Sequence, residues 1–120
     1  MRRHILLQLL LFFSFILLPQ GANGQGIISF TSDGQLSSTT IRSLMEDSYK
    51  NIWITTYNGL NRYDGTKMNI YHQVEGEEGS LLHDITSCTC ETSSQGVLIG
   101  TGSGVQRYDR QMDQFEYLPL

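Results

Sequence analysis

The feature that most constrains the fold of this chain is an internal repeat. Residues 41–71 read IRSLMEDSYKNIWITTYNGLNRYDGTKMNIY, and residues 85–109, which read ITSCTCETSSQGVLIGTGSGVQRYD, follow the same plan. Four blocks keep their order: Ile41 aligns with Ile85 at an offset of 44 residues and, after one extra residue in the second copy, residues 53–56 align with 98–101, Gly59-Leu60 with Gly104-Val105, and Arg62-Tyr63-Asp64 with Arg107-Tyr108-Asp109 at an offset of 45. Since chance seldom preserves both order and spacing in four blocks, the repeat defines the structural unit.

Each copy contains four short β-prone segments that are separated by turn residues. We predict strands at 41–45, 52–56, 60–63 and 67–71 in the first copy, and at 85–90, 97–101, 105–108 and 114–118 in the second. No segment after residue 25 shows sustained helical periodicity. A period near 45 residues with four strands per repeat is typical of propeller blades. The chain is therefore predicted to be all-β, with about two four-stranded antiparallel blades of an incomplete propeller.

The first 24 residues have the three-part plan of a secretory signal peptide. A basic start with Arg2 and Arg3 precedes the apolar run 5–18, and small residues follow near residue 24. This plan predicts export and cleavage between Gly24 and Gln25. An uncleaved membrane anchor is the alternative, but the run of 14 residues is short for a span that needs about 20. The predicted organisation is a signal peptide at 1–24, a ring-closing strand and lead-in loop at 25–38, a first blade at 39–74 and a second blade at 83–120.

The charge of the chain argues against one class of partner. Cleavage would remove two of the eight basic residues and none of the twelve acidic ones, which leaves 96 residues with a formal charge of −6. No basic cluster is dense enough to follow a phosphate backbone, so we predict no nucleic acid contact by this segment.

Acidic and basic residues that recur in both copies favour a structural interpretation. Asp64 and Asp109 hold the same repeat position, and turn geometry explains such recurrence better than catalysis, which needs a residue only once. Arg62 and Arg107 also recur, which favours pairing along the blade over clamping of a substrate. Trp53 could stack on a sugar ring, but a strand that is apolar or β-branched throughout favours a core position.

Cysteine and histidine residues give no sign of a reactive site. Cys88 and Cys90 lie two residues apart in a predicted strand, and we expect two small buried thiols on one face of it. His72 and His83 show no metal-ligand spacing to this pair. We predict no catalytic residue, no metal site and no cofactor in this segment, and the sequence identifies no ligand-binding residue.

The motif in the first copy resembles the two-component regulator propeller repeat, whose blades read approximately D-x-x-G-x-IW-IGT-x-x-GL-x-RYD. The positions that match this repeat, in the first copy and then in the second, are Asp47, Trp53, Thr56, Gly59, Leu60, Arg62, Tyr63, Asp64, Gly65, Thr101, Gly104, Arg107, Tyr108 and Asp109. The second copy departs from it further, because Leu98 replaces the tryptophan, Val105 the leucine, and Arg110 follows the Arg-Tyr-Asp block. The resemblance covers residues 27–118.

This resemblance implies a hybrid two-component sensor histidine kinase. Such proteins place two seven-bladed propellers and an immunoglobulin-like domain on the periplasmic side of the inner membrane, followed by one membrane helix and by cytoplasmic kinase, receiver and DNA-binding modules. They typically sense oligosaccharides and switch on genes for polysaccharide use. The implied partners are the remaining blades of a longer chain, an oligosaccharide and a second copy in a homodimer. The segment itself is not expected to be an enzyme, since the kinase part lies outside these residues.

Two blades cannot close a ring, so we expect an N-terminal fragment of a longer sensor. Residues 25–120 alone are expected to fold poorly or to self-associate through exposed strand edges. The alternatives are an exported propeller that serves as a carbohydrate-binding module or enzyme without a kinase, and a truncated gene product without function. The coding sequence after Leu120 discriminates among them.

Overall fold

The computed structural model describes residue 29 and residues 35–120 of the chain. Eight strands run in chain order: β1 (Ile41–Glu46), β2 (Ile52–Thr56), β3 (Gly59–Tyr63), β4 (Met68–Tyr71), β5 (Thr86–Thr92), β6 (Gly96–Thr101), β7 (Gly104–Asp109) and β8 (Gln114–Leu118). They form two four-stranded antiparallel sheets, β1-β2-β3-β4 and β5-β6-β7-β8, which we call blade 1 and blade 2. The predicted all-β fold is confirmed.

The predicted signal peptide lies outside the described residues, and so does the ring-closing strand apart from Ser29. Both therefore stay predictions. Among the residues that the structure describes, no helix is long and apolar enough to cross a membrane.

Strand pairing corrects the alignment of the two copies. Ile41 pairs with Thr56 in blade 1, and Thr86 pairs with Thr101 in blade 2, with a register shift just after each pair. Ile41 therefore corresponds to Thr86, and the extra residue that the sequence alignment placed in the second copy is wrong. The match with Ile85 was misleading because Ile85 precedes β5, where its carbonyl accepts the backbone N–H of Gly102. The offset is 45 residues from β1 through β3.

The two blades differ in length only at their last turn. Tyr63 pairs with Met68 at the end of β3, whereas its counterpart Tyr108 pairs with Phe115, so the turn after β7 is longer by two residues. The extra length lets this turn reach blade 1, as described below.

Each blade is preceded by a segment that crosses one of its faces. Leu36 and Leu81 are buried, and the backbone N–H that follows each leucine bonds to an amide side chain in the third strand of the blade. In blade 1 the N–H of Ser37 donates to Asn61 Oδ1 at 2.8 Å. In blade 2 the N–H of Leu82 donates to the Oε1 atom of Gln106 at 2.9 Å. The repeat unit thus includes its lead-in segment.

The core lies between the blades, where the strand side chains that point toward each other interlock. Trp53 and Leu60 of blade 1 are 0% exposed, and the indole of Trp53 meets the ring of Tyr108 edge-on at 4.8 Å between centroids. Burying one such side chain contributes roughly 1.5–3 kcal/mol. The core cluster, taken from both blades and the segment between them, is Trp53, Leu60, Leu81, Val97, Ile99, Tyr108 and Phe115. We call this contact the seam.

Candidate functional site

A buried carboxylate closes the β1–β2 turn at one end of the seam. Asp47 Oδ1 accepts the backbone N–H groups of Tyr49 and Asn51 at 2.9 Å each, and Oδ2 accepts the indole N–H of Trp53 at 2.8 Å. Burial opposes ionisation of this group, but the bonds from Trp53 and Asn51 outweigh it and hold the pKa of Asp47 below its usual 3.8. Arg110 of blade 2 completes the set at 3.4 Å from Oδ2. The carboxylate therefore ties the turn, the core and the neighbouring blade together.

A second carboxylate, on the longer turn of blade 2, accepts hydrogen bonds from two tyrosine hydroxyls. Tyr71 of blade 1 and Tyr108 of blade 2 donate to Asp113 Oδ1 at 2.6 Å and 2.7 Å. Arg62 donates from Nε to the Tyr71 hydroxyl at 3.1 Å. Burial, together with the bond to Asp113, raises the pKa of both tyrosines, so their hydroxyls are neutral donors and poor nucleophiles at neutral pH. This network joins the blades and offers no activated group for catalysis.

A cleft of about 610 Å³ lies beside these bonds. Its lining residues are Ser48, Tyr49, Glu91, Thr92, Ser93, Gly96, Val97, Tyr108 and Arg110. The Arg110 guanidinium lies 3.5 Å from the centroid of the Tyr49 ring, and Glu91 accepts both the backbone N–H and the hydroxyl of Ser48 across the seam. Because Arg110 and Glu91 already bind residues of the β1–β2 turn, the end of the blades that carries Asp47 connects blade 1 to blade 2.

The opposite end of blade 1 presents a pair of exposed side chains. Tyr57, in the β2–β3 turn, is 52% exposed, and the Arg42 guanidinium lies 4.8 Å from its ring centroid. In the part of the chain that the structure describes, Arg42 makes no ion pair, whereas the other three arginines pair with carboxylates: Arg62 with Asp113, Arg107 with Glu116, and Arg110 with Asp47. Sequence reasoning missed Arg42 and Tyr57. The available signal was their failure to recur, since Ser87 and Gly102 hold their positions in blade 2.

The repeat-motif aspartates lie in turns at the ends of the β3 and β7 strands. Asp64 Oδ1 accepts the backbone N–H groups of Thr66 and Lys67 at 2.9 Å each. Asp109 Oδ1 does the same for the two residues at equivalent positions after it, at 2.9 Å and 3.3 Å. These bonds lower the pKa of Asp64, with the Lys67 backbone bond as the largest cause. The two carboxylates hold turns and lie apart from any shared pocket.

The Thr-x-x-Gly part of the motif closes the β2–β3 and β6–β7 hairpins. Thr56 and Thr101 each donate a hydroxyl to the carbonyl of the glycine three residues on, at 2.8 Å. Gly59 adopts φ 111°, and a Cβ there would lie 2.7 Å from the Tyr71 carbonyl oxygen, so only glycine fits. Gly104 has φ 137°. The remaining motif residues serve the blade as well: the Tyr63 hydroxyl donates to the Gly65 carbonyl at 2.9 Å.

The expectation of two buried thiols is wrong. Cys88 and Cys90 are both exposed and unbridged. They share the face of β5 that points away from blade 1, and no described strand lies against that face. The described residues contain no group of three or more His, Cys, Asp or Glu side chains that could hold a metal ion.

The geometry defines the class of the molecule as adjacent blades of a β-propeller. Residues 35–58 match the family model of the two component regulator propeller. This match confirms the resemblance noted from the motif of the first copy, over these residues. The match spans the lead-in segment, β1, β2 and the turn that carries Tyr57.

A solved structure has the same fold. It is the extracellular domain of a protein assigned to a hybrid two component system of B. thetaiotaomicron, and it is similar to this chain with a TM-score of 0.60 and 22% sequence identity. The alignment covers 68% of this chain and 12% of that one, so the chain spans about an eighth of its length. A comparison with curated protein sequences finds no match.

Proposed function

We propose that this chain is part of the ligand-sensing propeller of a two-component sensor histidine kinase. In this proposal it is exported and lies on the periplasmic side of the inner membrane, and its ligand is an oligosaccharide whose utilisation genes the sensor controls. The observation that carries the proposal is the regulator propeller repeat at residues 35–58, together with the fold shared with the extracellular domain of a hybrid two-component system protein.

The arrangement of the blades fits a binding role better than a catalytic one. At one end of the seam, Arg110 bonds to Asp47 and Tyr71 bonds to Asp113, and these bonds hold the two blades together. The other end carries turns whose side chains differ between blades, and rigid scaffolds commonly present binding residues on such turns. We propose that the segment binds and does not catalyse, that further blades of the same protein pack on blade 2, and that the sensor acts as a homodimer.

The proposal is tested in the source bacterium. Codons 25–120 are deleted in frame at the chromosomal locus, and transcripts of polysaccharide-utilisation genes are measured after transfer to each of a panel of purified polysaccharides. We expect induction on one polysaccharide to be lost, induction on the others to be unchanged, and the wild-type gene supplied in trans to restore it. Unchanged induction on every polysaccharide would contradict a sensing role. Glycosidase activity of the purified intact protein would favour the exported enzyme instead.

A further inference from the structure

The repeat provides an internal control for which side chains a blade needs. Thr56 and Gly59 recur in blade 2 as Thr101 and Gly104, because every hairpin of this kind needs them. Arg42 and Tyr57 do not recur: the structure places Ser87 and Gly102 at their positions, 45 residues later. The blade 2 hairpin closes without an aromatic ring or a guanidinium. Folding of the blade therefore does not explain the presence of the pair.

Contact between the blades does not explain the pair either. The charged side chains that bond across the seam are Glu91, Arg110 and Asp113 near the Asp47 end, and Asp84, which bonds to His72 and to the backbone N–H of Gln73. Arg42, at the start of β1, takes part in none of these bonds. Tyr57 leaves half of its surface in water, although burial of a tyrosine ring would stabilise the fold. Arg42 and Tyr57 thus form an exposed planar cation beside an exposed ring.

The chemistry of the pair selects one class of ligand. A guanidinium binds carboxylate and sulfate oxygens through two parallel hydrogen bonds, and Arg42 has no such acceptor among the described residues. A tyrosine ring supplies a rigid apolar surface with a polar tip, which suits the mixed surface of a sugar ring. The chain as a whole carries a formal charge of −4, but repulsion at long range is screened beyond about 8–10 Å in physiological salt. At contact distance, the positive charge of the unpaired Arg42 guanidinium therefore matters more for an anionic ligand than the net negative charge of the chain.

We propose that Arg42 and Tyr57 form a contact site for an acidic sugar unit, in which Arg42 binds a uronate carboxylate or a sulfate ester and Tyr57 packs against the sugar ring. This inference rests on the proposed function and narrows it, because it makes the sensed oligosaccharide an anionic one. The two anion sources share one chemistry and are separated by the experiment.

The test is calorimetric titration of the intact, purified gene product with three probes of matched length: an oligogalacturonate, which carries only carboxylates, a κ-carrageenan oligosaccharide, which carries only sulfate esters, and a neutral xylo-oligosaccharide. We expect one of the two acidic probes to bind and the neutral probe not to bind. Arg42→Gln should weaken that binding at least ~10-fold, which equals about 1.4 kcal/mol. Arg42→Lys keeps the positive charge but lacks the planar guanidinium, so its affinity should lie between that of the wild type and that of Arg42→Gln. Tyr57→Ala should weaken binding, and Tyr57→Phe should retain most of it.

Lys50→Gln is the matched control, since it removes one positive charge from blade 1 at the opposite end, where the Lys50 side chain is 83% exposed. Its affinity should equal that of the wild type, and all variants should melt together because none of these side chains is buried. Binding of the neutral probe alone, binding of no probe, or equal affinity of Arg42→Gln and wild type would each overturn the acidic-sugar site. The gene-deletion experiment is independent of this test. If the deletion abolishes induction but Arg42→Gln binds as the wild type does, the sensing function stands and only the acidic-sugar site is rejected.

Discussion

Blade 1 and blade 2 have the same strand order and nearly the same register, yet equivalent faces of the two sheets have different surroundings. The face of blade 1 that carries Trp53 is covered by blade 2, and the indole is 0% exposed. The equivalent face of blade 2, which we call the outer face, carries Leu98 at the tryptophan position and Cys90 at the position of Met45. Cys90 is exposed and Leu98 is partly exposed.

The difference shows that the contribution of a side chain to stability depends on whether a neighbouring sheet covers it. Leu98, Val105 and Leu118 lie side by side on the outer face and remain partly exposed in the described structure. A contiguous apolar sheet face of this kind favours association. The same backbone position is thus a core position in blade 1 and a surface position in blade 2.

The largest expected effect comes from removing the covered side chain. Trp53→Ala should destabilise the chain by about 3–5 kcal/mol, because it leaves a large cavity and removes the donor to Asp47. Leu98→Ala, the matched variant in blade 2, should cost about 1 kcal/mol or less, since its side chain is already partly in water. Urea unfolding followed by far-ultraviolet circular dichroism at low protein concentration measures both.

The same two stability losses can also contradict the contrast between the covered face of blade 1 and the outer face of blade 2. Equal losses for the two variants would show that the outer face is covered in solution, through self-association or through residues outside the described part. Repeating the Leu98→Ala measurement in the intact gene product sharpens it: where a further blade packs on the outer face, the cost should rise to about 2–5 kcal/mol.

The second expected effect concerns the first turn of each blade. Asp47→Asn should cost about 2 kcal/mol, because the single amide oxygen can accept the bonds of the turn amides or the bond of Trp53 but not both, and the amide NH2 then faces the donors that remain. Thr92, the blade 2 counterpart, accepts only the backbone N–H of Gln95 at 3.0 Å, and Thr92→Ala should cost about 0.5–1 kcal/mol. Fluorescence of Trp53, the single tryptophan of the chain, reports the loss of its bond to Asp47 directly.

The lowered pKa of Asp47 also predicts that the stability of the fold depends on pH. The folded-state pKa of Asp47 lies below its usual 3.8, so its contribution is complete above that pH and is lost as the pH falls through the folded value. Wild-type stability should therefore drop on acidification below about pH 4, and Asp47→Asn should drop less. Asp113, whose bonds from Tyr71 and Tyr108 outweigh burial and lower its pKa, retains part of the dependence. Parallel acid titration curves for wild type and variant would contradict this assignment.

The strands and the core tryptophan were predictable because they depend on local pattern. The predicted strands at 52–56 and 114–118 match β2 and β8, and the other six differ at their ends by one or two residues. Runs of apolar residues between turn signals carry that information in sequence order. The burial of Trp53 followed from the same local pattern.

The parts that sequence did not predict depend on contacts between distant residues or on surroundings. The bond between Arg110 and Asp47 joins residues 63 positions apart, and no local sequence pattern at either residue predicts it. The alignment of Ile41 with Ile85 followed residue type, whereas strand pairing follows register. The exposure of Cys88 depends on the absence of a described neighbour for its face, which a strand pattern does not encode. Arg42 was missed because repeat reasoning looks for residues that recur.

The smallest expected effect tests the positions at which the blades are alike. Asp64 and Asp109 hold their turns with the same two backbone bonds, and neither of these bonds crosses the seam. Asp64→Ala and Asp109→Ala should therefore lower the melting temperature only slightly and by nearly equal amounts, since each removes an exposed turn bond and leaves the seam intact. A clearly larger loss for Asp109→Ala would mean that its turn, which also carries Arg110 and Asp113, transmits the change to the seam. Equal losses would show that a shared motif residue has a shared energetic role, and that the difference between the blades arises from their neighbours alone.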